Sequence, residues 1–208
     1  MPGVAVATMT VAKPEVRSSG SLAAAQRGDR AAIEALLVEL LPRMRNLVRY
    51  LIRGDSDVDD IVQDALLAIV RGLGGFRGDG KLEAWVDRIV ARTTFAHLRR
   101  TRKHDGASDG YTEPEQLGVT EPLDEQYAAR RRAVRLLDQL PSEQRHVLVL
   151  HHVLGMTVRE IAEQLDAPKE TVRSRLRLGK TRLRDAKRRH DQRRTPTNVG
   201  AEDGGAVR

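Results

Sequence analysis

The chain has 208 residues, of which 36 are Lys or Arg and 29 are Asp or Glu, giving a net charge of +7. This basic excess favours a polyanionic partner, but by itself it does not separate nucleic acid from a membrane surface. The absence of cysteine excludes disulfides, thiolate metal sites and cysteine nucleophiles. No stretch approaches the roughly 18 apolar residues of a membrane span, and the N-terminus lacks the features of a signal peptide. These observations predict a cytoplasmic protein without membrane insertion.

Hydrophobic periodicity predicts an all-α fold. Apolar residues recur at the three- and four-residue spacing of helices, and no β-strand alternation of useful length occurs. Residues 104–126 include Gly, Pro, Asp and Glu but no Lys or Arg, which is typical of an acidic linker. We therefore predict two small helical domains, at 21–103 and 123–189, joined by a flexible acidic linker at 104–122. Flexible tails are predicted at 1–20 and 190–208.

The first informative helix of the N-terminal domain has two contrasting arcs. Ser56 and Asp59 match an acidic variant of the capping box, which predicts that Ser56 caps the helix. The apolar arc, predicted to face the core, consists of Val58, Ile61, Val62, Ala65 and Ile69. The opposite arc consists of Asp60, Gln63, Asp64 and Leu67. A leucine among carboxylates is typical of a protein-contact patch, but acidic residues also complement a helix N-terminus, and the pattern leaves both interpretations open.

A glycine-rich loop and a basic helix follow. The helix predicted at 81–103 has an apolar arc formed by Leu82, Trp85, Val86, Ile89, Thr93 and Ala96. Another side carries Arg88, Arg92 and Arg99, with Phe95 nearby. Cations that follow phosphates and rings that stack on bases suit single-stranded nucleic acid. In the loop at 74–80, Phe76 is the better exposed aromatic and Arg77 adjoins it, whereas Trp85 fits the core better. Such a loop could close around a base or could simply connect two helices.

In the C-terminal domain, two short helices separated by a turn are predicted at 157–184. Thr157 and Glu160 form a capping box that fixes the start of the first helix. Its apolar face consists of Val158, Ile161, Ala162 and Leu165. Asp166-Ala167-Pro168 ends this helix, because proline disfavours helical geometry in the preceding residue yet suits the first turn of the next helix.

The second helix of this pair separates an apolar side from a basic one. Val172, Leu176, Gly179 and Leu183 form its inner side. Arg173, Arg177, Lys180 and Arg184 form a stripe about a quarter-turn away, with Ser174 beside it. A basic stripe alone is often only a solvated face. The turn-separated pair of helices is instead typical of a DNA-binding helix-turn-helix, whose arginines can pair with guanine or phosphate.

Several motifs, in order, resemble one family. Residues 57–64 (DVDDIVQD), 76–89 (FRGDGKLEAWVDRI) and 97–100 (HLRR) resemble the second region of sigma-70 factors. Residues 140–148 (LPSEQRHVL), 155–162 (GMTVREIA) and 171–176 (TVRSRL) resemble their fourth region. The spacing resembles the compact extracytoplasmic-function (ECF) type. Lys169-Glu170 departs from the apolar residue and glycine usual there, and Leu178 stands where a basic residue is frequent.

The resemblance implies a role for each face. Asp60, Gln63, Asp64 and Leu67 would bind bacterial core RNA polymerase. The residues that would capture the opened −10 strand of promoter DNA are Phe76, Arg77, Arg88, Arg92, Phe95 and Arg99. Those that would contact the −35 duplex are Lys169, Thr171, Arg173, Ser174, Arg177 and Lys180. An anti-sigma factor is a further partner implied by the family, and no cofactor is implied.

Two other functions compete with this interpretation. A polymerase-independent regulator could use the same helix-turn-helix, but it would need a sensor or dimerisation domain in place of the carboxylate and basic faces of 21–103. An enzyme is disfavoured, because neither a phosphate loop nor a nucleophile motif occurs. His146, His151 and His152 lack a nearby carboxylate or cysteine, so we predict neither a catalytic site nor a metal site.

Overall fold

The computed structural model describes residues 19–104 and 125–194, and every regular element in these ranges is helical. The all-α prediction is therefore confirmed. The elements are α1 (Ser19–Gln26), α2 (Arg30–Leu51), α3 (Val58–Gly72), a 3-10 turn (Leu73–Gly75), α4 (Leu82–His104), α5 (Glu125–Asp138), α6 (Ser142–His152), α7 (Val158–Leu165) and α8 (Lys169–Arg194). Residues 105–122, which hold nearly all of the predicted acidic linker, and most of both predicted tails lie outside the described residues.

The first helical unit packs α2, α3 and α4 around an aliphatic core. The side chain of Asp29 caps α2 by accepting a hydrogen bond from the N–H of Ala32 at 2.9 Å. Arg43 of α2 forms a bidentate pair with Asp87 of α4, with the two N–O distances at 2.8 and 2.5 Å. Both groups are largely removed from solvent, so this pair fixes how α2 and α4 lie against each other.

Helix α3 has the predicted core face but not the predicted start. Its buried residues are Val58, Ile61, Val62, Ala65 and Ile69, which is the arc that the sequence assigned to the core. The prediction that Ser56 caps this helix is wrong. Asp57 occupies the cap position with near-helical dihedral angles and makes no side-chain capping hydrogen bond. An N-cap residue typically has an extended backbone, whereas the backbone of Asp57 is close to helical.

The second helical unit packs α6, α7 and α8, with α5 along one side. Gly179 of α8 is buried where α8 crosses α6. A Cβ atom at this position would lie 3.0 Å from Cδ1 of Leu148 and 3.3 Å from Cβ of Gln144. The absence of a side chain therefore sets how closely the two helices approach.

We expect Gly179→Val to destabilise the protein by about 1–3 kcal/mol, because the added carbons must displace Leu148 in a packed core. For a chain of this size, that corresponds to a fall in Tm of about 2–4 °C per kcal/mol, measurable by thermal denaturation. Thr181→Val is the matched control, since it introduces the same residue on the exposed side of α8. Equal melting temperatures for the two variants would contradict the close packing.

The two helical units contact each other where α5 and α6 meet the C-terminal end of α2. Arg145 of α6 donates hydrogen bonds to the carbonyl oxygens of Arg49 and Tyr50. The ring of His146 lies edge-on to that of Phe95 of α4, with the ring centroids 5.0 Å apart. Nothing in the spacing of apolar residues had indicated that α4 and α6 would be neighbours.

Candidate nucleic-acid and protein interfaces

The capping box predicted for the first helix of the C-terminal pair is confirmed. The N–H of Thr157 donates to Oε2 of Glu160 at 2.8 Å, and the N–H of Glu160 donates to Oγ1 of Thr157 at 3.3 Å. The N–H and the hydroxyl of Thr157 both donate to this carboxylate, which holds the pKa of Glu160 below its usual value. The start of α7 is thus fixed by local chemistry, independently of its packing.

The turn between α7 and α8 is also as predicted. Asp166 ends α7 in the left-handed conformation, with φ at 50°, and its N–H donates to the carbonyl of Ala162. Among non-glycine residues, Asp and Asn adopt this conformation most readily. Pro168 follows, and α8 begins at Lys169. Ile161 and Ala162 of α7 and Val172 and Leu176 of α8 are buried, so the two helices form a packed helix-turn-helix.

Helix α8 presents most of the predicted duplex-binding residues to solvent. Lys169, Arg173, Ser174 and Arg177 are exposed, while Thr171 and Lys180 are half-buried. Arg173 forms an ion pair with Glu170 one turn earlier, so a carboxylate lies within the predicted DNA-binding surface. Arg175 instead turns towards α6 and pairs with Glu143 at 2.9 Å. The face can supply arginines to base edges or phosphates, but one of them already has an anionic partner.

The basic side of α4 and the loop before it are less uniform than expected. Arg77, Arg88, Arg92 and Arg99 are exposed. Phe76 is half-buried, with its ring centroid 5.4 Å from that of Trp85. The side chain of Gln26 also donates to the carbonyl of Phe76 at 2.7 Å, which anchors the loop to α1. The loop that contains Phe76 is therefore packed against the first helical unit.

Phe95 does not lie open beside these arginines, and its contact with the −10 strand stays a prediction. Its side chain is buried, at 5% exposure, because α6 covers it and places His146 against its ring. The helical spacing within α4 was predicted correctly. That spacing does not show that α6 packs on the side of α4 that carries Phe95. In this arrangement, the ring of Phe95 cannot stack on a base unless the two units separate.

The acidic and leucine face of α3 borders an open cleft of about 540 Å³. Asp60 and Gln63 are exposed, Asp64 is half-buried, and Leu67 is 48% exposed. Arg100 of α4 pairs with Asp64 at 2.9 Å across the cleft. Leu67 is thus an apolar side chain in solvent with charged groups around it, as at the centre of a protein-contact patch.

Three residues of this cleft were not assigned to it from sequence. His97 and Arg100 of α4 line it together with Thr101. The packing of α4 on α3 brings Arg100 to the carboxylates. An i+3 spacing from His97 to Arg100 shows that both lie on one face, but not which helix that face meets.

No group of three or more His, Asp or Glu residues within 19–104 and 125–194 is arranged to hold a metal ion. His151 and His152 contact each other, and Nδ1 of His151 lies 2.9 Å from the carbonyl oxygen of Met156. Over the same ranges, no helix is both long and apolar enough to cross a bilayer.

The fold and these faces define an all-α protein with a C-terminal helix-turn-helix and a separate acidic contact face. Comparison with known families specifies the class further. A family model described as Sigma-70 region 2 matches residues 36–104, and one described as Sigma-70, region 4 matches residues 130–183. The first spans α3, the loop and α4, and the second spans the helix-turn-helix.

Curated relatives and a solved structure agree with these matches. The chain is 33% identical over 171 residues to the ECF RNA polymerase sigma factor SigM of Mycobacterium tuberculosis, covering 80% of this chain and 83% of that one. It is 33% identical over 168 residues to the ECF RNA polymerase sigma-E factor of Escherichia coli K12, covering 73% and 84%. The sigma factor RpoE of Bartonella quintana, solved with the anti-sigma factor NepR, has the same fold at a TM-score of 0.50, 22% identity and coverage of 74% and 96%. The chain belongs to the ECF type of the sigma-70 family.

Proposed function

We propose that this chain is an alternative sigma factor that binds core RNA polymerase and directs it to specific promoters through −10 and −35 recognition and strand opening. The observation that carries the proposal is the pairing of two faces in one chain. An exposed leucine among carboxylates lies on α3, and an exposed arginine stripe lies on the second helix of a helix-turn-helix. A duplex-binding regulator needs the second face but has no use for the first.

The −35 contact is assigned to the start and outer side of α8. The exposed side chains of Arg173, Ser174 and Arg177 suit base edges in a major groove, and Lys169 and Thr171 at the start of the helix suit the adjacent phosphates. Lys180 is placed one turn further along the stripe. These six residues together form a surface of the size that one recognition helix presents.

Opening of the −10 element is assigned to α4 and the preceding loop. Arg77, Arg88, Arg92 and Arg99 are exposed and can follow a phosphate backbone. Phe76 needs only to turn from Trp85 to meet a base, whereas Phe95 becomes accessible only when α6 moves away. The strand-binding surface is thus partly formed in this arrangement and partly covered.

Polymerase docking is assigned to Asp60, Gln63, Asp64 and Leu67. An apolar anchor with polar groups around it is the usual composition of a binding hot spot. We assign the chain to the cytoplasm, where the polymerase acts, and give it no catalytic activity of its own. An anti-sigma factor that covers the polymerase-binding face is a further partner in this proposal.

The decisive experiment is transcription in vitro with bacterial core polymerase on a library of promoters. We expect transcripts that depend on the chain and share −10 and −35 motifs. A polymerase-independent regulator, the second candidate, would bind a −35-like duplex tightly by itself and would not co-elute with core polymerase. That result would favour the regulator and reject the proposed sigma factor.

Glu170 gives a prediction specific to this chain. We expect Glu170→Gln to tighten binding of a −35 duplex by up to about fivefold, because an exposed ion pair contributes about 0.2–1 kcal/mol and its loss frees Arg173 for DNA. The measurement is fluorescence anisotropy at fixed salt. Glu163→Gln is the control, since it removes a similar exposed pair, with Arg159, from α7. Weaker binding by the Glu170 variant would show that the pair helps to orient Arg173.

A further inference from the structure

A buried arginine closes a helix end where the two helical units meet. Arg145 of α6 is fully buried, and its Nε and Nη2 donate to the carbonyl oxygens of Tyr50 and Arg49, each at 2.7 Å. These carbonyls belong to the last turn of α2, where no intrahelical donor is available. The guanidinium also faces the negative end of the helix dipole. Arg145 therefore caps α2 from the other unit.

The capping is reciprocal. Arg53, just beyond α2, donates through Nη2 to the carbonyl oxygen of Leu140, just beyond the end of α5. Asp138 lies between the two units. Its Oδ1 accepts a hydrogen bond from Nη1 of Arg145 at 2.6 Å, and its Oδ2 lies 3.5 Å from Nη2 of Arg49. Each unit thus satisfies backbone carbonyls of the other, and one carboxylate bridges their arginines.

Water can replace the hydrogen bonds of this junction when the two units separate. Burial lowers the pKa of Arg145 to about 10, so the side chain is still a cation at neutral pH. A buried cation is tolerated only while all its hydrogen-bond partners are in place. When the units separate, α2 loses its external cap, Arg145 keeps only Asp138, and water hydrates the rest. The junction is therefore specific in geometry but modest in net free energy.

The same junction places the helix-turn-helix unit over the basic side of α4. His146 covers the ring of Phe95, and Arg88 pairs with Glu160 of α7 at 3.2 Å. A cleft of about 320 Å³ between the units is lined by Arg99 on one side and Thr171 on the other. Residues assigned to the two promoter elements thus face each other across one narrow space.

We propose that this arrangement is a latched state of the free chain, in which the Arg145 cap holds the C-terminal unit over α4 until binding separates the two units. The latch itself stands on the contacts between the units. Its consequence, that the latched chain cannot bind single-stranded DNA fully, rests on the proposed function. Release would expose Phe95, open the cleft beside Arg99 and free α8 to reach a distant duplex.

The distance between the units tests the latch. Because the chain has no cysteine, Ala35→Cys on α2 and Thr181→Cys on α8, both exposed, provide two unique spin-label sites for double electron–electron resonance. We expect a single narrow distance distribution in the otherwise unmodified chain. Arg145→Gln and Arg53→Gln should each add a longer, broader population, because losing a charged hydrogen bond shifts the closed-to-open ratio by about ten- to a hundredfold.

A second measurement tests the proposed effect of the latch on binding of single-stranded DNA. Binding of a fluorescein-labelled dT12 strand should become up to about tenfold tighter in both variants, since the affinity scales with the open fraction. Arg188→Gln, an exposed arginine of α8 far from the junction, should match the unmodified chain in both measurements. Arg53 is only half-buried, so its variant reports on the junction even if the Arg145 variant loses helix by circular dichroism.

Two results would overturn the latch: a broad, long distribution in the unmodified chain, or unchanged distances in an Arg53 variant of normal helix content. Transcription with core polymerase separates this inference from the proposed function. If the label distance responds as expected but no promoter is transcribed, the latch stands and the assignment as a sigma factor fails. If promoters are transcribed but the two units are already apart in the unmodified chain, the assignment as a sigma factor stands and the latch fails.

Discussion

Replacing Leu67 by aspartate is expected to weaken binding to bacterial core RNA polymerase by about thirtyfold or more. Central hot-spot residues contribute about 2 kcal/mol or more, which corresponds to that factor. Leu67 fits such a role because it is 48% exposed at the edge of the α3–α4 cleft, one helical turn after Gln63 and Asp64. A new charge there removes the apolar anchor and adds repulsion towards any acidic rim on the partner. The affinity is measured by titrating a labelled chain with core polymerase.

Val38→Asp is the matched control for this substitution. Val38 is also an exposed apolar residue, at 66% exposure, but it lies on α2 away from the cleft. It should leave polymerase affinity within about twofold, since surface substitutions away from binding sites usually have small effects. Both variants should keep their helix content and melting temperature. If Leu67→Asp unfolds the chain, Leu67 is a core residue and the docking face lies elsewhere.

Substituting Arg177 by alanine is expected to cost about 1–3 kcal/mol in binding to a promoter −35 duplex and to relax selectivity at the bases it reads. Arg173→Ala should cost less. Arg173 is engaged by Glu170, whereas no ion pair with a described residue engages Arg177. The measurement is anisotropy with the holoenzyme and with the chain alone, on matched and mutated duplexes across a salt series.

Arg177→Lys distinguishes base reading from phosphate contact. Lysine keeps the charge but loses the bidentate geometry, so it should preserve the salt dependence and still lose selectivity. Arg188→Ala, on the same helix about 17 Å beyond Arg177 at 1.5 Å per residue, should leave selectivity unchanged. Full selectivity in both Arg173→Ala and Arg177→Ala would refute the assignment of α8 as the −35 reader.

The local features were predictable because they depend on residues close together in the chain. The capping box at Thr157 and the turn at Asp166 are confirmed, since both rest on hydrogen bonds and dihedral preferences spanning a few residues. The core arc of α3 is confirmed for a similar reason. Its apolar residues repeat at helical spacing, and such a stripe must face the interior.

The differences from prediction concern features that helical spacing does not determine: contacts between helices and the exact ends of helices. Helical spacing placed Phe95 near the arginines of α4, but it did not show that α6 packs over this residue. Ser56 was placed at the start of α3 because its type fits a cap, but the helix begins one residue later. Helix ends shift by a residue or two at little cost, so composition alone locates them poorly.

Taken alone, the sequence determined the all-α class, the helix-turn-helix and the family, since these rest on periodicity, capping chemistry and ordered motifs. Only the tertiary structure decided which faces are open. It buried Phe95 beneath α6 and brought Arg145 to the end of α2, more than 90 residues away in the chain. The physical reason is that the acceptors for Arg145 are backbone carbonyls. Every residue carries such an acceptor, so no residue type marks in the sequence which helix end will meet a given arginine.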